Sequence, residues 1–363
     1  MAKKPRSLEN EEDTTVMNGE YFVLVDTLLG LYTNAKHFKW SYGIDPPPAD
    51  RQAFDNCLIR LILEVGPTEQ QISENRLSKY HYFHGVPQRD QLFYERPFIC
   101  SSQLQLRAKG LLTDTPCFQV NRPYYRFVTH RFMNLHSVGY ILTDVSSLLL
   151  LRQGYAPLHC SAFRHRDSTV LVFAPPNTGK TLTTMAACMD YGAQFLAEDL
   201  AVTDGKEAFS VPWTSTFRYY SQVDRRPWAR MIDNLTRKIP ILELLPIVKS
   251  RPINTYLDES QMLSRAVVTH VAILERGQSA SVTDLDHEEA QRRIQNLNRY
   301  EFNYQKAPFN VAYEYFNPGV NIEHAYQTEK RISQVLITNA KKLLLVRADD
   351  PLQYAPLLLN SLT

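Results

Sequence analysis

The β-rich run Thr169-Val170-Leu171-Val172-Phe173 feeds directly into Ala174-Pro175-Pro176-Asn177-Thr178-Gly179-Lys180-Thr181, and the apolar residues Met185, Ala186 and Met189 extend a helix beyond it. Strand, tight loop and helix in this order leave few folds open. The loop matches G-x-x-x-x-G-K-[ST] with alanine in place of the first glycine. At such a corner, successive backbone N–H groups and the positive end of the helix dipole surround one point, which suits phosphate oxygens. Lys180 is then expected to neutralise β- and γ-phosphates and the Thr181 hydroxyl to join a Mg²⁺ shell. Ala174 fits only if its φ is negative. The bland alternative is an ordinary strand-turn-helix corner that happens to contain Gly-Lys-Thr.

About one helix and one turn after Thr181, with Gly192 as the helix stop, the strand-like Phe195-Leu196-Ala197 leads into Glu198-Asp199. Mg²⁺ takes hard oxygen ligands, so a carboxylate at a strand end near the loop is its expected partner. On a regular strand the two acids point to opposite faces, and a bend is needed before one can meet metal and the other an acceptor. Either could serve as the base that orients an incoming hydroxyl. His159, in the strand-like stretch Leu158 to Phe163, either hydrogen-bonds a carboxylate or phosphate or is a satisfied core histidine.

Three stretches divide the chain. Residues 1–18 are polar and charged and read as a solvated tail. Residues 19–134 read as an N-terminal α/β module of unassigned role, with helical spacing from Ala53 to Val65 and strand-like alternation from Cys117 to Val128. Residues 135–363 open on a buried-helix stripe, Leu135, Val138, Ile141, Leu142, Val145 and Leu148, ending near Gly154. Val267 to Leu274 and Leu343 to Val346 follow as strand-like runs, and Leu352 to Leu362 as a last amphipathic stretch.

The formal net charge is only +2, so no nucleic-acid-binding surface is expected. Five scattered cysteines with no C-x-x-C pair argue against a disulfide framework or zinc site and for a reducing, cytoplasmic setting. The apolar runs are too short to span a bilayer, so no membrane partner is expected. Between Arg225 and Arg251 lie Arg226, Arg230, Arg237, Lys238 and Lys249, either a solvated basic face or an attractor for an anionic acceptor.

The segments Leu158-His159-Cys160-Ser161-Ala162, Val170 to Phe173, the loop through Thr181, and Gly192 to Asp199 resemble, in order and spacing, the core of HPr kinase/phosphorylase-like proteins. That resemblance covers about Leu135 to Tyr220. It implies an α/β fold with a P-loop-containing core like that of HPr kinase and the phosphoenolpyruvate carboxykinases, here carrying an N-terminal α/β extension. It further implies that Lys180 binds the β- and γ-phosphates, that Thr181 and Asp199 hold Mg²⁺, that Glu198 is the catalytic base supported by His159, and that Arg218 contacts a transferring phosphate. Oligomers are also implied. Two residues depart from the family pattern: Ala174 at the first loop glycine, and Glu198 where aspartate is usual.

The leading expectation is an ATP-dependent kinase acting on a hydroxyl of a small molecule or a peptide. A nucleotide-binding module without transfer activity, and an enzyme of the same fold that binds a diphosphate-bearing substrate and runs another reaction, are the alternatives.

Overall fold

The computed structural model describes residues 19–35, 38, 46, 48–68, 77, 82–98, 102–128, 136–211, 253 and 256–362. Its strands are β1 (Glu20–Val25), β2 (Leu29–Thr33), β3 (Pro48–Ala49), β4 (Ile59–Val65), β5 (Phe83–His84), β6 (Gln91–Pro97), β7 (Gln103–Lys109), β8 (Cys117–Val120), β9 (Ala156–Leu158), β10 (Ser161–His165), β11 (Ser168–Phe173), β12 (Gln194–Ala197), β13 (Ala201–Thr203), β14 (Glu207–Ser210), β15 (Arg265–Val267), β16 (His270–Arg276), β17 (Ser281–Asp284) and β18 (Lys342–Ala348). The helices are α1 (Arg51–Asp55), α2 (Arg122–Phe127), α3 (Val138–Arg152), α4 (Lys180–Asp190), α5 (His287–Glu301), α6 (Pro308–Phe316), α7 (Ile322–Asn339) and α8 (Tyr354–Asn360).

The described residues form a mixed α/β structure with three sheets. Eight strands run β3-β1-β2-β4-β8-β7-β6-β5, six run β12-β10-β11-β16-β18-β17, and four run β15-β14-β13-β9. In the six-stranded sheet β11, β16 and β18 are parallel, while β10 is antiparallel to both β11 and β12. β12 therefore runs the same way as β11. The carboxyl ends of β11, β12, β16 and β18 and the amino end of β10 all meet at one end of the sheet, where open α/β sheets bind ligands.

β11 is buried on both faces, which is why it reads as a continuous apolar run. Val170 and Val172 pack with Met185 of α4 and Leu358 of α8. Leu171 and Phe173, one residue out of phase, pack with Ile294 of α5 and Leu336 of α7. A separate apolar cluster joins the eight-stranded sheet, through Leu31, Leu61 and Phe118, to Leu142 and Leu148 of α3 and to Phe309 and Tyr313 of α6. The expected boundary between residues 134 and 135 falls outside the described residues.

Several local expectations change. The Ala53 to Val65 stretch is not one helix: α1 ends at Asp55, and Ile59, Leu61 and Leu63 alternate inward as β4. Residues 117 to 128 are a strand only to Val120, after which Asn121 caps α2 and Pro123 sits in its first turn. Leu158 to Phe163 is two strands in two different sheets, broken at His159-Cys160. The Val267 to Leu274 run likewise divides between β15 and β16. The stripe ending near Gly154 is α3, and Gly154 takes φ 84° just beyond it.

Candidate functional site

β11 delivers Ala174 into the core, with a φ outside the left-handed region, so alanine is accommodated where the motif has glycine. Pro175, Pro176 and Asn177 are exposed, Asn177 at φ 61°, and the Thr178 N–H closes the turn on the Pro175 carbonyl at 3.3 Å. Gly179 takes φ 122°, and a Cβ there would lie 2.8 Å from Cβ of Pro351, so only glycine fits. α4 starts at Lys180 with no side-chain cap at Gly179. Its first N–H groups lack that partner and face an anion-attracting corner.

Lys180 is buried, with Nζ 2.8 Å from Nε2 of His159 and 3.8 Å from Oδ1 of Asp199. An ammonium has only donors, so His159 Nε2 accepts and the ring proton sits on Nδ1, 3.4 Å from Asp199 Oδ1. Burial, and then the Lys180 charge, outweigh the backbone of Asp199 and hold the imidazole down at about 3. The His159–Asp199 contact is thus between a neutral ring and a carboxylate. Burial also lowers Lys180, against the opposing pull of Asp199 first and of Cys160, Glu198 and Glu301 after it.

The two acids follow β12 instead of lying within it. The Thr181 hydroxyl donates to Glu198 Oε1 at 2.6 Å, and Glu198 is buried. The two consecutive carboxylates meet two consecutive residues of α4, Glu198 at Thr181 and Asp199 near Lys180, and Asp199 turns into the left-handed region at φ 77°. An L-residue there costs roughly 1 kcal/mol. The turn is needed because the chain changes sheets here: Leu158 of β9 pairs with Ala201 of β13, while Ala162 of β10 pairs with Ala197 of β12. Residues 159–160 and 198–200 cross from sheet to sheet side by side. That crossing brings His159 to Asp199.

The structure thus gathers His159, Lys180, Thr181, Glu198, Asp199 and the loop 174–179. Arg218 and the basic residues from Arg225 to Arg251 lie outside the described residues. Three further residues join the cluster. Glu301, at the end of α5, places Oε1 3.6 Å from His159 Nε2, its carboxyl pushed up by burial and then by Asp199. Arg276, at the carboxyl end of β16, donates to the Asn177 carbonyl at 3.2 Å. Asn298 accepts the His159 backbone N–H at 3.0 Å. One signal for Asn298 was present: Ala290, Ile294 and Asn298 form a single buried stripe, and a polar residue ending an apolar stripe needs a partner.

The pair formed by the Thr181 hydroxyl and Glu198 carboxylate is a hard-oxygen set that fits Mg²⁺ and not a soft metal. Among the described residues no group of three or more His, Cys, Asp or Glu is arranged to hold a metal. A Mg²⁺ carried in with phosphates does not require one, since it binds through one or two protein oxygens. Among the described residues, too, no helix is long and apolar enough to cross a membrane.

No protein-family model matches the chain, and no curated protein does. Among solved structures it is similar in part to the Hpr(Ser) kinase/phosphatase from Coxiella burnetii, at 10% identity and a TM-score of 0.21, over 36% of this chain and 77% of that one. A likeness at that level carries no argument about family or function, which has to be made from the side chains.

Proposed function

We propose that this chain is an ATP-dependent phosphotransferase that moves the γ-phosphate to a hydroxyl of a small molecule or peptide. The observation that carries the reading is that Lys180 and Thr181, at the N-terminus of α4, share one cleft with Glu198, Asp199 and His159. Phosphoryl transfer asks for charge placement more than covalent chemistry, and this cleft has the parts for it.

Thr181 and Glu198 would hold Mg²⁺, which when bound supplies neutralisation of phosphate charge. Lys180 would exchange His159 Nε2 for a phosphate oxygen. Asp199, beside the neutral His159, remains to orient the acceptor hydroxyl and take its proton late. The 2.6 Å Thr181–Glu198 bond favours this division over the reverse, in which Asp199 binds metal and Glu198 is the base. Arg276 adds a second cation beside the loop.

The test is transfer of label from γ-labelled ATP to a panel of sugars, amino alcohols and Ser/Thr peptides, beside titration calorimetry with Mg²⁺-ATP and with organic diphosphates. Expected are Mg²⁺-dependent ATP binding and labelled product. ATP binding without turnover would instead mark a non-catalytic nucleotide module. Preference for an organic diphosphate would mark a different reaction.

A further inference from the structure

We infer that Asn298, Glu329 and Tyr304 form a buried relay that positions His159, and through it the Lys180 ammonium. Only the kinetic arm of its test rests on the proposed phosphotransfer. His159 lies at the break between β9 and β10, where its N–H is bonded by a side chain, the Oδ1 of the fully buried Asn298, at 3.0 Å. The same amide donates through Nδ2 to the Pro157 carbonyl and to Glu329 Oε1, each at 3.1 Å. One side chain of α5 therefore holds the peptide groups on both sides of Leu158.

Glu329 of α7 is buried, and its second oxygen accepts from the hydroxyl of Tyr304, itself buried. The Tyr304 carbonyl accepts from Asn310 Nδ2 at 2.9 Å, and Asn310 donates as well to the Asp144 carbonyl of α3 at 3.3 Å. A carboxyl in this place is expensive to bury, and two buried donors, the Asn298 amide and the Tyr304 hydroxyl, depend on it. What the network provides is a fixed backbone under His159. Its ring then stands among Lys180 of α4, Asp199 after β12 and Glu301, which lies three residues beyond Asn298 on the same helix.

The experiment compares Glu329→Leu, Asn298→Leu, Tyr304→Phe and the conservative Glu329→Gln with the wild type. Each full-length protein is labelled with ¹⁵N-histidine, and the His159 ring nitrogens are observed at one fixed pH beside thermal melting and ATP kinetics. Expected is a folded Glu329→Leu of lowered stability, because the Tyr304 hydroxyl and one Asn298 N–H lose their buried acceptor, with displaced His159 ring signals. Its kcat should fall on the order of tenfold at nearly constant KM for ATP. Glu329→Gln should recover most of both. If either Leu variant fails to fold, Tyr304→Phe, which removes only a hydroxyl, is read by the same signals. Unmoved His159 signals in the folded variants would overturn the inference and leave the network a structural brace. Absence of ATP turnover in the wild type would count against the phosphotransferase reading alone, since the ring signals decide the relay without it.

Discussion

Thr181 and Glu198 are joined by a hydrogen bond of 2.6 Å from Oγ1 to Oε1, while the next residue, Asp199, faces His159 and Lys180. Two adjacent carboxylates are thereby given different neighbours, and their substitutions should separate. Glu198→Gln is expected to weaken nucleotide binding in Mg²⁺ more than in its absence. Asp199→Asn should leave nucleotide affinity nearly intact and lower the transfer rate about 10²-fold, the usual loss for a general base. Calorimetry with and without Mg²⁺, beside single-turnover kinetics, reads both. The reverse pattern would give the base role to Glu198.

Lys180→Ala should reduce turnover by roughly 10²–10³-fold, the scale for removing one donor aimed at developing charge. Arg276→Ala should raise KM for ATP and touch kcat much less, because that guanidinium is exposed and reaches the loop only through the Asn177 carbonyl. Steady-state kinetics on folded variants distinguishes the two cations. Equal effects from both would place Arg276 on the transferring phosphate as well.

His159 links stability to pH. Its folded value lies near 3, below the ordinary 6.5, chiefly through burial and next through Lys180. Between those values the unfolded chain binds the proton and the folded chain does not. Stability from this group is therefore fully present above about 6.5 and declines as pH falls from there toward 3. His159→Asn should flatten that acid-side decline in urea titrations run at a series of pH values. A decline of unchanged slope would assign it to other groups.

Asp199 occupies φ 77°, which glycine adopts without strain. Asp199→Gly and Asp199→Ala both delete the carboxylate beside Lys180, so their difference isolates the backbone. The glycine variant is expected to be the more stable by about 1 kcal/mol, measured by chemical denaturation. Equal stabilities would mean that the turn relaxes when the side chain is gone.

Much of the cleft was legible because its parts are short and local. The Gly-Lys-Thr corner, the helix to Asp190 and the strand before Glu198 each announce themselves within a few residues. The split at His159-Cys160 was not legible, since the apolar run Leu158 to Phe163 looks the same whether it serves one sheet or two. Glu301 and Arg276 were missed for a different reason. They arrive from over a hundred residues and from about a hundred residues away, at the ends of α5 and β16, and only the strand order places them beside the loop. The assignment of adjacent acids to partners also needed the turn at Asp199, a left-handed residue that no apolar pattern signals.

The helix α3 has a consequence for how the chain can be divided. Val138, Ile141, Leu142, Val145 and the run Leu148 to Leu151 are all buried, so apolar side chains surround it instead of forming a single stripe. Leu142 and Leu148 belong to the cluster that also holds Leu31, Leu61 and Phe118. A fragment lacking residues 19–128 would leave one flank of α3 as an exposed apolar face, and such a fragment is expected to aggregate. Residues 19–128 and 136–362 produced together as two chains should associate and stay associated until denatured. Moving the loop-bearing half alone into another chain would deliver a helix without its cover, so the two halves are expected to travel as one folding unit.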